Sequence, residues 1–356
     1  MQALAIHVSQ QYTRAAIDDI SSLGNGLIND TFLIKTKNQS FVLQRINTQV
    51  FPEPRLIMEN LGLLNKHIKN KPSPKLIIPN VLKTLDQHVY YVDEQNNFWR
   101  ALEFVADTES KEHISHQKEA EQVGFALAHF HCLLSDIDTS LFHDTLPGFH
   151  ITPHYFQQYK IVERQIEHLP LSNKIGKCRG FIRSFSAKIN SLEEARQQGL
   201  LIDRMIHGDP KLNNFLFAKG SHKIISLIDL DTVKPGLVHY DIADCLRSCC
   251  HQTDLNTFDL SLCKIILNGY LKEMAEVFTG HDYDYLYQAI ELIPFELGLR
   301  FFTDYLQGNQ YFKVDTIDQN LDKALAQFQL CENIGRQEND IRLLIFEIKT
   351  HFNSSK

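Results

Sequence analysis

Three polar residues stand at a spacing that suits transfer of a phosphoryl group. The segment His207-Gly-Asp-Pro-Lys-Leu-Asn-Asn214 puts one carboxylate, Asp209, five residues before an amide, Asn214; a second carboxylate, Asp229, follows fifteen residues later in Leu227-Ile-Asp-Leu-Asp231. Moving a phosphoryl group to a hydroxyl needs a carboxylate to orient and deprotonate that hydroxyl. It also needs an amide and a further carboxylate to hold the magnesium ion that bridges the leaving phosphates. An isolated His-Gly-Asp is equally suited to capping a turn, because Asp readily accepts backbone N–H groups. Asn214 at its offset and Asp229 at the end of an apolar run speak for the chemistry, since a buried carboxylate without a cation or partner is costly.

The elements around these residues divide the chain in two. From about Ala15 to Val105 the pattern is strand-like: Thr31–Thr36, Ser40–Ile46, Val89–Val92 and Phe98–Val105, with Gly, Asn and Asp between them. One helical stretch interrupts them from roughly Glu53 to Ile68, where Ile57, Leu61, Leu64 and Ile68 recur at helical spacing. After Ala106 the pattern becomes helical, near 116–135, 154–195, 256–278, 283–307 and 319–351, broken by a strand island from Met205 to Thr232. The expected fold is α+β and two-lobed: residues 1–105 form a β-rich lobe with a hinge at 103–105, and residues 106–356 a mainly helical one.

Composition narrows the rest. The 356 residues carry a net charge of −7 without a long block of one sign, which argues against a nucleic-acid partner. The longest apolar runs fall short of the ~20 residues a membrane helix needs, and the N-terminus lacks a basic-then-apolar leader, so no membrane partner and a cytoplasmic location are expected. Seven cysteines without a C-x-x-C pair read as reduced thiols. His129 and His131 are two apart and do not share a helix face as metal ligands would.

His207-x-Asp209-x-x-x-x-Asn214 followed by Ile228-Asp229 resembles the signature of the aminoglycoside phosphotransferase and choline kinase superfamily, small-molecule kinases with a protein-kinase-like fold. Further matches are similar to the branch of N-acetylhexosamine kinases that phosphorylate the anomeric hydroxyl. They are Gly24–Thr31, Phe41–Asn47, Val50-Phe51 with Met58-Glu-Asn60, Ile228–Thr232 with Pro235-Gly236 and His239-Tyr-Asp241, and Arg300–Tyr305 with Tyr311-Phe312. The resemblance implies Asp209 as catalytic base and acceptor contact, Asn214 and Asp229 as ligands of Mg2+, and ATP as co-substrate. Asp231 is open between a second metal or substrate contact and a plain turn carboxylate, and Lys211 between a phosphoryl contact and a solvated cation. His131 reads as a packed histidine hydrogen-bonding near the catalytic loop.

For the nucleotide, Gly24-x-Gly26 is expected to form a turn whose N–H groups approach the phosphates, and Glu103 to Val105 the hinge that holds the adenine. Where such kinases place a phosphate-binding lysine this chain reads Val42-Leu-Gln-Arg45. Strand alternation puts Gln44 and Arg45 on opposite faces. Charge favours Arg45, paired with Glu59 of the following helix; register with the superfamily favours Gln44. For the acceptor, Glu296 and Arg300 stand one helical turn apart, Tyr311 follows a Gly308 turn, and Arg247 follows Asp244 by three. Charged groups and an aromatic face suit a hydroxyl-rich sugar. Surface ion pairs are the bland alternative for each pair. Rival expectations are a kinase of another small alcohol (aminoglycoside, choline-like or amino alcohol), which would need carboxylates such as Glu291, Glu296 and Asp304, and a non-catalytic nucleotide-binding protein.

Overall fold

Period-two alternation sends the side chains of the first hundred residues to two faces with different partners. The computed structural model describes residues 2–24, 28–166 and 172–354. Strands β1 (Ile17–Ser22), β2 (Asp30–Thr36), β3 (Ser40–Ile46), β4 (Val81–Leu82), β5 (Tyr91–Val92) and β6 (Phe98–Glu103) form one antiparallel sheet, ordered β1-β2-β3-β6-β4 with β5 also on β6. On its outer face Phe32, Ile34, Phe41, Leu43, Trp99 and Ala101 bury against Ala5, Val8 and Tyr12. Ala5 and Val8 belong to α1 (Gln2–Ser9), a helix the sequence reading does not include because two turns are too short to display a helical period. The other face carries Thr31, Gln44 and Arg100 toward the rest of the molecule, where Arg100 pairs with Asp231.

The helical stretch of this lobe is α2 (Pro54–Lys69), with Pro at its first turn and Ile57, Leu61, Leu64 and Ile68 buried as their spacing requires. A short strand β7 (Thr108–Glu109) leads into α3 (Gln117–Leu133). The expected stretch at 154–195 resolves into α4 (Thr152–Gln165), α5 (Asn173–Phe185) and α6 (Ser191–Gln197). The strand island becomes β8 (Arg204–Ile206), β9 (Phe215–Ala218) and β10 (Ile224–Leu227); β10, β9 and β7 form one sheet, and β8 pairs with β11 (Lys234–Gly236).

Helix α7 (Val238–Cys250) is missing from the sequence reading. Val238, Ile242, Cys245, Leu246 and Cys249 recur at helical spacing opposite Asp241, Asp244, Arg247 and Ser248, so the period is present although most of both faces is buried. The remainder is a short hairpin of β12 (His251–Gln252) and β13 (Thr257–Phe258), then α8 (Leu260–Met274), α9 (Gly280–Asp284), α10 (Leu286–Leu306), α11 (Gln319–Arg336) and α12 (Glu338–Ser354). Among the described residues no helix is long and apolar enough to cross a membrane, and all seven cysteines are free thiols, six of them buried. A β-rich sheet beside a mainly helical body is the expected two-lobed, protein-kinase-like α+β fold.

Candidate active site

Asp209 sits in a loop between β8 and β9 whose backbone is held by one buried carboxylate. Asp241, near the start of α7, accepts the N–H groups of His207 (2.6 Å) and Gly208 (2.9 Å), and its Oδ2 also accepts from His131 Nε2 at 2.9 Å. Tyr270 donates to the other nitrogen of His131 at 2.7 Å, so the imidazole is fixed in orientation and is the packed loop support expected from sequence. His207 Nε2 lies 3.0 Å from the Ile228 carbonyl and Thr232 Oγ1 donates to the His207 carbonyl, which locks the loop to the Asp229 segment. Gly208 has φ +89°, and a Cβ there would stand 2.7 Å from the Thr232 carbonyl oxygen, so the loop closes only with glycine.

Asp209 and Asp229 stay partly open to solvent, and one cation lies between them. Lys211 Nζ is 2.6 Å from Asp209 Oδ2 and 4.0 Å from Asp229 Oδ2. Burial opposes the charge on Lys211, but the two carboxylates outweigh it and push the ammonium pKa up. Asp229 adopts a left-handed backbone (φ 66°, ψ 54°) at the end of β10, a strain of order 1 kcal/mol that aims its side chain out of the strand direction. Asn214 donates its amide nitrogen to the Asp209 carbonyl at 2.7 Å, which leaves its Oδ1 as an acceptor. A carboxylate that is 41% exposed and a free amide oxygen are hard oxygen donors, and they fit Mg2+ completed by phosphate oxygens. Among the described residues no group of three or more His, Cys, Asp or Glu side chains makes a self-sufficient metal cage.

The sheet places the nucleotide candidates differently from the sequence reading. Gln44 pairs across to Arg100 and Arg45 to Trp99, so Gln44 shares the inner face with Arg100, and Arg45 shares the outer face with the Trp99 core. Arg45 is engaged by Asp30 Oδ2 (2.6 and 2.9 Å) and Asn97 Oδ1 (3.3 Å). The expected Arg45–Glu59 pair does not form: Glu59 is solvent-exposed and pairs with His143 at 3.0 Å. Its neighbour Asn60 is the α2 residue that docks inward, donating to the carbonyls of His143 (2.9 Å) and Val233 (3.1 Å). Gly24 is in the left-handed region (φ +72°); Gly26 lies outside the described residues. A cavity of about 350 Å³ opens beside the segment expected as hinge, lined by Glu103, Phe104, Val105, Leu82, Ile77 and Ile225, while the Glu103 carboxylate itself is held by Asn80 at 2.7 Å.

Sequence reasoning passed over the buried cation of this face. Arg100 donates from Nε (2.9 Å) and Nη2 (2.8 Å) to Gln44 Oε1, and Nη2 also bonds Asp231 Oδ1. Asn29 donates to the second oxygen of Asp231 at 2.8 Å. Burial raises the Asp231 carboxyl pKa against the pull of Arg100, and the charge of Asp229 adds to the rise, so the anion depends on that guanidinium. A signal was available: alternation within Phe98-Trp-Arg-Ala-Leu-Glu103 sets Arg100 opposite the buried Trp99, a lone charge on the inner face of a strand.

The acceptor candidates lie on α10, on α7 (Arg247) and just past α10 (Tyr311), and only part of them are open for a ligand. Both oxygens of Glu296 are taken inside the protein, by His150 Nδ1 (3.1 Å) and Thr152 Oγ1 (2.7 Å). His150 Nε2 lies 2.7 Å from the Gly208 carbonyl. Glu296 is therefore a buried support of the catalytic loop, because its one-turn spacing from Arg300 does not decide which way each side chain points. With a carboxylate at one ring nitrogen and a carbonyl at the other, His150 donates twice; burial opposes this imidazolium, and Glu296 outweighs it and raises the pKa. Asp304 accepts three backbone N–H groups, those of Gln310, Tyr311 and Phe312, at 2.8–3.0 Å, and the amide of Asn320. Glu291 is paired with Lys188 at 2.6 Å, and Arg247 is paired with buried Asp244 at 2.8 Å. Arg300 differs. Its guanidinium lies over Phe149, Tyr155, Phe312 and Tyr311, 5.0–5.8 Å from the ring centres, and among the described residues no carboxylate is in ion-pair contact with it.

A protein-kinase-like fold that brings Asp209, Asn214 and Asp229 to one place is the arrangement of a phosphotransferase acting on small molecules. The chain matches the phosphotransferase enzyme family over residues 19–272, most of its length, and belongs to it. Among solved structures it is similar to a microcompartment-associated aminopropanol kinase (14% identity, 95% of this chain and 98% of that one, TM-score 0.64). It is also similar to a spectinomycin phosphotransferase in complex with ADP and spectinomycin (12% identity, 95% and 98%, TM-score 0.62). An ethanolamine kinase of Plasmodium vivax matches at 16% identity over 87% of this chain and 80% of that one, with a TM-score of 0.57.

Proposed function

We propose that the protein transfers the γ-phosphoryl group of ATP, with Mg2+, to a hydroxyl of a neutral sugar, foremost the anomeric hydroxyl of an N-acetylhexosamine. The observation that carries the neutral acceptor is Arg300: a guanidinium walled by four aromatic rings, with no carboxylate in ion-pair contact among the described residues. A cationic amino alcohol or aminoglycoside would meet that charge as repulsion. The carboxylates it would need instead are consumed, Glu296 by His150 and Thr152, Asp304 by backbone N–H groups, and Glu291 by Lys188. A sugar offers hydroxyl and carbonyl oxygens to the guanidinium and a C–H face to the rings. The choice of the anomeric position and of an N-acetylhexosamine rests on the sequence motifs.

In this reading Asp209 orients the acceptor hydroxyl and takes its proton, and Lys211 leaves Asp209 for the incoming phosphates. Asn214 and Asp229 would hold the magnesium ion, which would supply charge neutralisation at the phosphates. The hinge cavity takes the adenine. Nucleotide-coupled ADP release measured across N-acetylhexosamines, galactose, glucose, an aminoglycoside and choline is the test. Turnover with the sugars and none with the cationic acceptors is expected; preferential turnover of choline or an aminoglycoside overturns it.

A further inference from the structure

The sheet leaves the nucleotide phosphates without the expected cation, since Gln44 is neutral and Arg45 is turned to the outer face. A different cation lies within the lobe. Arg100 is 1% exposed, on the inner face, one strand over from Gln44. Gln44 takes two of its donors and Asp231 shares one of them; Nη1 is buried and has no hydrogen-bond partner among the described residues. A buried guanidinium donor without an acceptor is expensive to maintain, and its presence points to an acceptor that arrives from outside.

The surroundings say which kind. Asp231 is two residues beyond the metal candidate Asp229, in the segment whose left-handed turn aims that carboxylate. Asn29, which shares Asp231, and Thr31, which receives the Gln44 amide, follow Gly24 by five and seven residues in the chain. The guanidinium is thus bracketed by Asn29 and Thr31 on one side and the segment of Asp229 on the other, between which the phosphates of a nucleotide must lie in the kinase reading. We infer that Arg100 is the phosphate-gripping cation of the nucleotide site, offering Nη1 to a nucleoside triphosphate oxygen, and that Asp231 holds Arg100 in place and is not a metal ligand. The ion pair performs the task of a strand lysine and helix glutamate in other kinases, with both members relocated: the cation to β6 and the carboxylate to the metal segment. With one oxygen on Arg100 and the other on Asn29, Asp231 has no oxygen left that is not already accepting a hydrogen bond.

This inference rests on the kinase reading, and calorimetry with two ligands separates their failures. Adenosine and MgATP are titrated into wild type, Arg100→Met, Arg100→Lys, Asp231→Asn and the double variant Arg100→Met/Asp231→Asn. The double variant removes both buried charges and carries the test if Arg100→Met alone fails to fold. Adenosine binding serves as the fold control. The expected result is at least a ~10-fold loss of MgATP affinity in the variants lacking Arg100, partial recovery in Arg100→Lys, and adenosine affinity within about twofold of wild type. In Asp231→Asn the magnesium concentration for half-maximal ATP tightening stays at its wild-type value. Parallel loss of adenosine and MgATP makes Arg100 merely structural and overturns the assignment, as does unchanged MgATP binding. A several-fold rise in the magnesium requirement of Asp231→Asn makes Asp231 a ligand and overturns that part. A wild type that binds no MgATP refutes the kinase reading itself.

Discussion

Two sets of carboxylates in the helical part look alike in the sequence and differ in the folded chain. Asp209 and Asp229 have side chains 29% and 41% exposed, one on a clamped loop and the other on a strained left-handed turn, with a single lysine between them. Glu296 and Asp304 of α10 are buried, and every oxygen already accepts a hydrogen bond from the protein. The first pair keeps its side chains partly open to solvent with one lysine as partner; the second spends every oxygen on groups inside the protein. A carboxylate available for chemistry is recognised by what positions it from behind, and a structural one by what it grips in front.

The comparison can be broken most severely at Asp209. Asp209→Asn is expected to lower kcat by at least ~100-fold while ATP binding and the melting temperature hold, the scale of a lost general base. Near-normal turnover in the folded variant would move Asp209 into the structural set. Asp229→Ala should abolish the tightening of ATP by magnesium, measured as the ratio of ATP affinities with and without the ion; a ratio equal to wild type sinks the ligand role.

Arg300→Ala should reduce kcat/KM for the acceptor by ~10- to 100-fold and leave the KM for ATP nearly unmoved. Equal losses for both substrates would make Arg300 a packing residue. On the structural side, Glu296→Gln should cost ~1–3 kcal/mol of stability through the unsatisfied groups it leaves, read from denaturant midpoints, with acceptor KM little changed. A selective rise in acceptor KM would return Glu296 to the acceptor site.

The smallest effect expected is one of pH. His150 is raised above the ordinary histidine range in the folded protein, so its contribution is complete below the unfolded pKa near ~6.5 and is lost as pH rises through the folded value. Melting temperatures taken upward from pH 6 should fall, and His150→Gln should flatten that fall. Identical pH profiles for the two proteins would show that His150 is not held as an imidazolium.

How much of this was legible depends on how local each interaction is. Asp209, Asn214 and Asp229 span one loop and one hairpin, so their spacing alone marked them as a set, and β2, β3 and β6 follow from their strand-like runs, while the two-residue β4 does not. Helix α7 carries a helical period that the sequence reading passed over, whereas α1, at two turns, is too short to display one. The choice between Gln44 and Arg45 was posed correctly by alternation, yet a strand's pattern does not say which face meets the cleft when each carries a polar residue.

What the amino-acid sequence determined by itself is therefore the kind of chemistry and the kind of fold, because both are written in spacings of a few residues that any chain geometry preserves. Tertiary structure alone decided which charges are free. Arg100 meets Asp231 across 131 residues, His150 meets Glu296 across 146, and Arg300 is left in an aromatic cage without a carboxylate partner among the described residues. The cost of burying a charge is settled by whichever group the fold brings within hydrogen-bond distance. That neighbour is set by the packing of whole lobes and not by any property of the residue or its immediate sequence.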